Sequence, residues 1–277
     1  MDLGGLGGQD IRAYGPITTT TFDLRRPLGR FVLGGLAHVG RLSLLVAEMG
    51  RGLSEWRVWL PRTVTEAWNI GVGSLPIILL VAGFAGAVTA LQTGYQFSGN
   101  IPYYVAGSLI VESVVLELGP VLTGLILAGR IGARYAAELG TMRVTEQIDA
   151  LETLGRSPAS HLVIPRVLAG IVMIPVLTII ANVTGIYSGW VAVQAVLPVT
   201  DYDFTYGARI FWRPFDAYYS VIKGFSFAVC ITVTSCYFGF STEQGAEGVG
   251  KSTTSAVVAS CVMILLLDTL LAKLLLH

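Results

Sequence analysis

The sequence predicts an all-α integral membrane protein, and three observations carry that expectation. Only 13% of the 277 residues are charged against 53% hydrophobic, with a mean hydropathy of +0.67. A soluble domain carries about 25% charged residues and needs them to cover its surface. Five apolar runs fall at about 70–92, 104–129, 167–196, 218–240 and 254–276, each long enough for the roughly 20 residues that cross a bilayer. Finally, charge gathers in one passage between the second and third runs, Arg130 to Arg166, which holds Arg130, Arg134, Glu138, Arg143, Glu146, Asp149, Glu152 and Arg156.

The same composition excludes other classes. A formal net charge of zero argues against a nucleic-acid binder. Cys230, Cys236 and Cys261 all lie inside apolar runs, and no Cys or His stands at metal-ligand spacing, so they read as packing residues. The opening MDLGGLGGQD lacks a basic segment followed by an apolar core, so a cleaved signal peptide is not expected.

Residues 1 to about 27 are rich in Gly, Thr and Pro and read as irregular. From Arg30 to Trp56, Leu36, Val39, Leu42, Val46, Met49, Leu53 and Trp56 recur at spacings of three and four, one face of a helix. Arg30, Arg41, Glu48 and Arg51 decorate its other faces, too many charges for a span. The pattern predicts an amphipathic helix lying in the membrane interface, the alternative being a helix packed on the protein's own surface. Pro61 is expected to end that segment.

In the first span, Ala82, Gly86, Ala90 and Gly94 fall every four residues. Small residues at this spacing let another helix approach closely, either from a second copy or from this chain. The aromatics Tyr95, Phe97, Tyr103 and Tyr104 around the next loop suit an interfacial belt. The second span contains Glu112, Glu117 and Pro120. A carboxylate at membrane depth must face the protein interior or a wet cavity, and Pro120 removes a helical hydrogen bond and can kink the span near Glu117. Within the polar passage, Ile148, Leu151 and Leu154 give a narrow apolar stripe over Thr145–Leu154, with Glu146, Gln147, Asp149 and Glu152 around it. This predicts a short helix outside the bilayer, stopped by Gly155 and Pro158. The third span carries a possible bend at Pro175 and a second seam of small residues, Gly185 and Gly189. Leu197–Asp216 mixes acids, aromatics and proline and reads as an extramembrane loop with a short interfacial helix. Lys223 stands near the start of the fourth span and is expected to snorkel to the interface. Asp268, the fifth span's single acid, reads as an interhelical partner.

Residues Glu117 to Gly155, ELGPVLTGLILAGRIGARYAAELGTMRVTEQIDALETLG, resemble the signature of the MlaE/YrbE permeases, the membrane subunits of ABC transporters that move phospholipids together with MCE proteins. The likeness resumes at Ile164-Pro165-Arg166 and at Gly245 to Ser260. It implies two parts, an N-terminal segment 1–62 and a single permease domain 63–277. It further implies a homodimer with two ABC ATPase subunits and an MCE-domain protein, a phospholipid substrate, and the inner membrane of a double-membrane bacterium. The resemblance puts the second span beside a lipid cavity, with Glu117, Val114, Val121 and Glu112 as candidate lining. Glu117 would contact a head group or pair with a cation. It also makes the 145–154 helix a cytoplasmic coupling helix, with Glu138, Arg143, Glu146, Gln147, Asp149 and Glu152 as candidate ATPase contacts.

Gly245 to Ser252, GAEGVGKS, satisfies the phosphate-loop pattern GxxxxGK[ST]. Such a loop needs a strand before it and a nucleotide-binding sheet around it; here apolar runs lie on both sides, so the expected role is a tight turn with Ser252 or Thr253 capping the last helix. No cofactor is therefore expected in this chain, and Mg-ATP belongs to the partner. Five spans put the termini on opposite sides. With the N-terminus cytoplasmic, eight arginines before the first span plus Arg130, Arg134, Arg143, Arg156, Arg166 and Lys251 face the cytoplasm, against Arg209, Arg213, Lys223 and Lys273 opposite. Positive residues concentrate on the cytoplasmic side, which favours this orientation. The competing function is an ion-coupled secondary lipid transporter using Glu112, Glu117 or Asp268, although no internal repeat supports it.

Overall fold

The computed structural model describes residues 40, 43, 45, 47–50, 56–97, 101–243 and 245–276. The amphipathic helix expected over 30–56 falls almost wholly outside them. The chain divides into two units, Met1–Leu44 and Leu45–His277. In the first, Ser43 Oγ donates to Gly40 O; everything below concerns the second. Among the described residues there are helices and no strands, as expected where a bilayer leaves backbone groups no partner but their own helix.

Five helices are long and apolar enough to cross a membrane: α1 (Trp56–Gln96), α2 (Tyr104–Val144), α4 (Ala159–Val196), α6 (Pro214–Phe240) and α7 (Ala246–Leu275). Two short helices sit at opposite ends, α3 (Gln147–Thr153) between α2 and α4 and α5 (Asp201–Ile210) between α4 and α6. The spans alternate in direction. Arg62 meets His161 and Leu139 approaches Gly239 at one end, whereas Gly94 meets Val196 and Gly107 meets Phe204 at the other.

The helices exceed the apolar runs. At 41 residues each, α1 and α2 are about 60 Å long, twice the hydrocarbon thickness. Both project their polar parts from the same end. The first half of the polar passage is thus a continuation of α2 to Val144. Pro61 does not end the preceding segment but lies inside α1 near its start.

The two seams of small residues pack on each other within one chain. A Cβ on Gly86 would stand 1.9 Å from Gly185 O, and one on Gly189 would stand 3.2 Å from Gly86 O. Ser188 Oγ donates to Gly83 O at 2.7 Å across the same contact. Backbone approach this close needs glycine and provides contacts that bulky residues would prevent. The seam is intrachain, which leaves it no room for a second copy.

Proline and register changes shape α2. It contains π-helical turns at Val114–Leu118 and Ala128–Gly132. The first immediately precedes Pro120, where a missing N–H removes one i→i−4 bond; Gly119 N–H bonds instead to Val114 O, five residues back. Gly119 is itself constrained, because a Cβ there would lie 1.7 Å from Asn182 Oδ1.

Three apolar clusters fill the interior. The central one joins Ile70, Ile78, Leu127, Tyr135, Ile174, Phe227 and Ile264. A second, with Ala106, Ile110, Val193 and Phe204, holds α5 against α2. The third contains Leu139, Ile148, Val163, Val167 and Cys236. The outer faces of α1, α4 and α7 are also apolar, with Phe84, Val183 and Leu266 each more than 60% exposed, the pattern of helices that face lipid. At the α5 end, Thr200 and Asp203 form a reciprocal capping box, the short helix the sequence predicts for that loop.

The last helix corrects one expectation. It begins at Ala246, so Ser252 and Thr253 lie in its second turn rather than at its cap. Thr253 Oγ1 donates to Val249 O and Thr254 Oγ1 to Gly250 O, bonds made inside a helix. Lys251 is exposed on this helix, and no strand precedes it among the described residues.

Candidate functional site

The deepest charges in the bundle form one cluster across α2, α6 and α7. Lys223 is fully buried, ten residues into α6, and does not snorkel. Its Nζ lies 2.9 Å from Glu117 Oε1 and 2.6 Å from Asp268 Oδ1. It also donates to Leu116 O at 2.8 Å and stands 4.7 Å above the Tyr219 ring. Leu116 is the residue four before Pro120, so its carbonyl is the one that the proline leaves without a helical donor. One ammonium therefore pairs with two carboxylates and bonds the carbonyl that the proline leaves open, and cation–π contact adds to it.

The three side chains differ in burial. Lys223 has no exposed side-chain area, Asp268 18% and Glu117 47%. Asp268 is the interhelical partner the sequence suggests. Glu117 is the carboxylate that opens outward, and with both acids ionised the cluster carries a formal charge of minus one. A group of that kind can hold a proton or meet a cationic or hydrogen-bond-donating head group.

The other candidate cavity residues take different places. Val114 is 2% exposed and packs its Cγ1 where a Cβ on Gly185 would sit, 2.9 Å away. It lines a narrow apolar cleft with Ile78, Ala82, Leu122 and Gly185, between α1, α2 and α4. Val121 is half-buried against the central cluster. Glu112 lies within electrostatic reach of Asp216 and Arg213, away from Glu117. A helix of constant pitch would align Val114, Glu117 and Val121; the π turn changes the phase and sends Val114 to α4 and Glu117 to α6. The sequence reasoning missed Lys223 as the centre of this cluster. The apolar run alone put Lys223 near the start of its span; the helix begins earlier, at Pro214, which sets the lysine ten residues in.

At the end where α1 and α2 project, α3 follows a left-handed residue, Glu146, at φ 57°. The helix covers Gln147–Thr153, shorter than the expected Thr145–Leu154. Its apolar stripe narrows to Ile148, which is 1% exposed, and half-buried Leu151, while Leu154 is 75% exposed. Ile148 belongs to the apolar cluster that also holds Leu139 of α2, Val163 and Val167 of α4 and Cys236 of α6, so α3 is anchored in a cluster to which three spans contribute. Glu146, Gln147, Asp149 and Glu152 point outward, and Asp149 pairs with Arg143 at the end of α2. Glu138 stands apart from this surface. It accepts from Arg134 at 2.6 Å and from Arg166 at 3.0 Å, tying α2 to α4. No group of three or more His, Cys, Asp or Glu side chains suited to a metal occurs among the described residues.

Comparison with known proteins adds an independent line. The profile of the family described as Permease MlaE matches residues 63–274. A probable ABC transporter permease protein of Rickettsia conorii is 36% identical over 253 residues, 91% of this chain and 98% of that protein. Another, from Rickettsia prowazekii, is 40% identical, covering 89% of this chain and 95% of its own length. The Arabidopsis thaliana chloroplast protein TRIGALACTOSYLDIACYLGLYCEROL 1 is 36% identical over 88% of this chain and 69% of its own.

Proposed function

This chain belongs to the MlaE permease family and is a multi-pass transmembrane permease, and from that premise we propose that it is the membrane subunit of an ABC transporter that moves phospholipids. The observation that carries this reading is the family match, which spans every membrane helix from α1 to α7. A relative whose name is that of a galactolipid favours lipid as cargo. In this role the chain works as a homodimer in a bacterial inner membrane, N-terminus inside, with an ATPase on the α3 side and an MCE-domain protein on the α5 side. Removing Lys223 from the outward charge count leaves only Arg209, Arg213 and Lys273 on that side, which strengthens the orientation.

The geometry supplies a route for force. An ATPase holding the polar face of α3 would push Ile148 into the apolar cluster built from α2, α4 and α6. Packed interiors transmit such displacement rather than absorb it. Of these helices, α2 carries the π turn and Pro120 beside Glu117, where a register change needs the fewest hydrogen bonds broken. ATP shifts this machine only by favouring contacts of one state over the other. Glu117 is the residue of this path offered to lipid, with Glu112 and Val121 flanking it, while Val114 is buried against α4.

The test is reconstitution. The chain, co-expressed with a candidate ATPase and MCE protein, is placed in proteoliposomes with a fluorescent phospholipid. ATP-dependent transfer that stops with an inactive ATPase is the expected result. Transfer driven by a proton gradient without ATPase would overturn it in favour of the secondary transporter.

A further inference from the structure

A second polar site lies at the α3 end of the bundle, away from the Lys223 cluster. A cavity of about 200 Å³ is walled by Arg62, Thr65 and Glu66 of α1 and by His161, Leu162 and Arg166 of α4. Arg62 Nη1 donates to His161 O at 2.9 Å, which fixes one guanidinium at the rim. Arg166 is only 6% exposed. It donates to Leu162 O and Glu138, yet its Nε has no hydrogen-bond partner. Buried guanidinium groups normally have every donor occupied, because an unmade charged hydrogen bond is costly. Arg156 Nη1 stands 3.2 Å from His161 Nε2. Since a guanidinium only donates, that nitrogen accepts, and the proton of the neutral ring sits on Nδ1.

The charges do not balance. Arg62 and Arg166 line the cavity, and Arg134 and Arg156 stand behind it on the lining residues Glu66 and His161, while Glu66 and Glu138 are the carboxylates among them. Four positive groups against two negative leave an excess of two. The depth is equally informative. Arg62 stands eight residues before Ile70, where the first apolar run begins, or about 12 Å along the helix; Arg166 immediately precedes Val167, where the third run begins. That is the level of lipid head groups, not of acyl chains. Exposed Trp68 on α1 marks the same zone.

We propose that this cavity binds a phosphate group, held by Arg62 and Arg166, and that its source is the head group of an anionic lipid in the adjacent leaflet. Arg166 supplies a guanidinium in the cavity wall, stacked 5.3 Å over the Tyr135 ring, and Arg62 a second at the rim, the forked chemistry that suits phosphate oxygens. Phosphate there would bridge the start of α1 to the start of α4 and neutralise the surplus charge. This site is separate from the transport path, so its failure would leave the reading of the chain as a lipid permease intact.

The experiment uses the purified full chain. Thermal stability and lipid retention are measured in nanodiscs of phosphatidylcholine with and without phosphatidylglycerol, and in detergent with millimolar inorganic phosphate. The expected result is retained phosphatidylglycerol and a higher Tm in its presence. Arg62→Gln should weaken that retention about tenfold, the effect of one lost charge-assisted hydrogen bond, and abolish the rise in Tm with phosphatidylglycerol, beyond any lipid-free loss from its bond to His161 O. Arg57→Gln, whose guanidinium lies over the Trp56 ring outside the cavity, should change neither. Arg166→Lys keeps the charge but loses the planar fork, and should also weaken phosphatidylglycerol retention. Protection by inorganic phosphate alone would keep the phosphate site but assign it to a soluble source. Equal lipid retention by the wild type and Arg62→Gln, or no effect of either phosphate source, would overturn the proposal.

Discussion

Lys223 of α6 donates to the carbonyl of Leu116 in α2, an oxygen left open because Pro120 has no N–H to offer it. A proline in one helix is thus complemented by a lysine from another at membrane depth. The same ammonium holds Glu117 and Asp268, and this sets a directional expectation for the three residues.

Removing either acid leaves one cation facing one anion, whereas removing Lys223 strands two carboxylates. Lys223→Met should therefore cost about 3 to 5 kcal/mol, the range for breaking a buried pair from one side. Glu117→Leu should fold and assemble, because Asp268 still balances Lys223, while lipid transfer falls. Tm and complex yield measure the first effect, and the rate of lipid transfer measures the second. A Glu117→Leu chain that fails to assemble would show that its role is structural.

Gly86→Ala should destabilise the isolated chain by about 1 to 3 kcal/mol, the cost of overpacking, because its Cβ meets the Gly185 backbone and not a flexible side chain. The seam joins α1 to α4 of one chain, so the defect should appear in Tm and leave dimer affinity per folded chain unchanged. Analytical ultracentrifugation of the folded fraction checks this.

The polar face and the apolar anchor of α3 should separate experimentally. Asp149→Lys with Glu152→Lys alters exposed positions and should leave Tm nearly unchanged while copurification of the ATPase is lost. Ile148→Ala removes the anchor shared by three spans and should cost about 2 to 5 kcal/mol. Retained ATPase binding and normal coupling after the double reversal would remove α3 as the docking helix.

Lys251→Ala should leave nucleotide affinity of the assembled transporter intact. Lys251 lies exposed in the second turn of α7, and no strand precedes that helix among the described residues, so it lacks the cradle that a phosphate loop builds from its backbone. Equilibrium binding of a fluorescent ATP analogue measures this, and a large fall in affinity would reverse the assignment.

Much of this protein was legible in the order of its residues. Bilayer thickness sets a length and forbids unpaired backbone, so five apolar runs were enough to give five helices. Local rules also found α3, from its stop at Gly155, and α5, from the acids, aromatics and proline of Leu197–Asp216; the Thr200–Asp203 box that starts α5 is equally local but was seen only in the structure. The small residues of α1 and α4 announced close approach, and Asp268 announced a partner.

What the sequence could not supply was phase and company. Helical spacing assumes a constant pitch, and the π turn before Pro120 breaks it, so Val114 and Glu117 face different neighbours. The partner of a buried charge lies more than a hundred residues away from Leu116 and only packing brings it near. For the same reason Lys223 reads as interfacial along the chain and proves central in the bundle: depth depends on where a helix starts, and α6 starts at Pro214, earlier than its apolar run. The seam's choice of α4 over a second copy was likewise decided in three dimensions, because glycine permits approach without specifying whose backbone arrives.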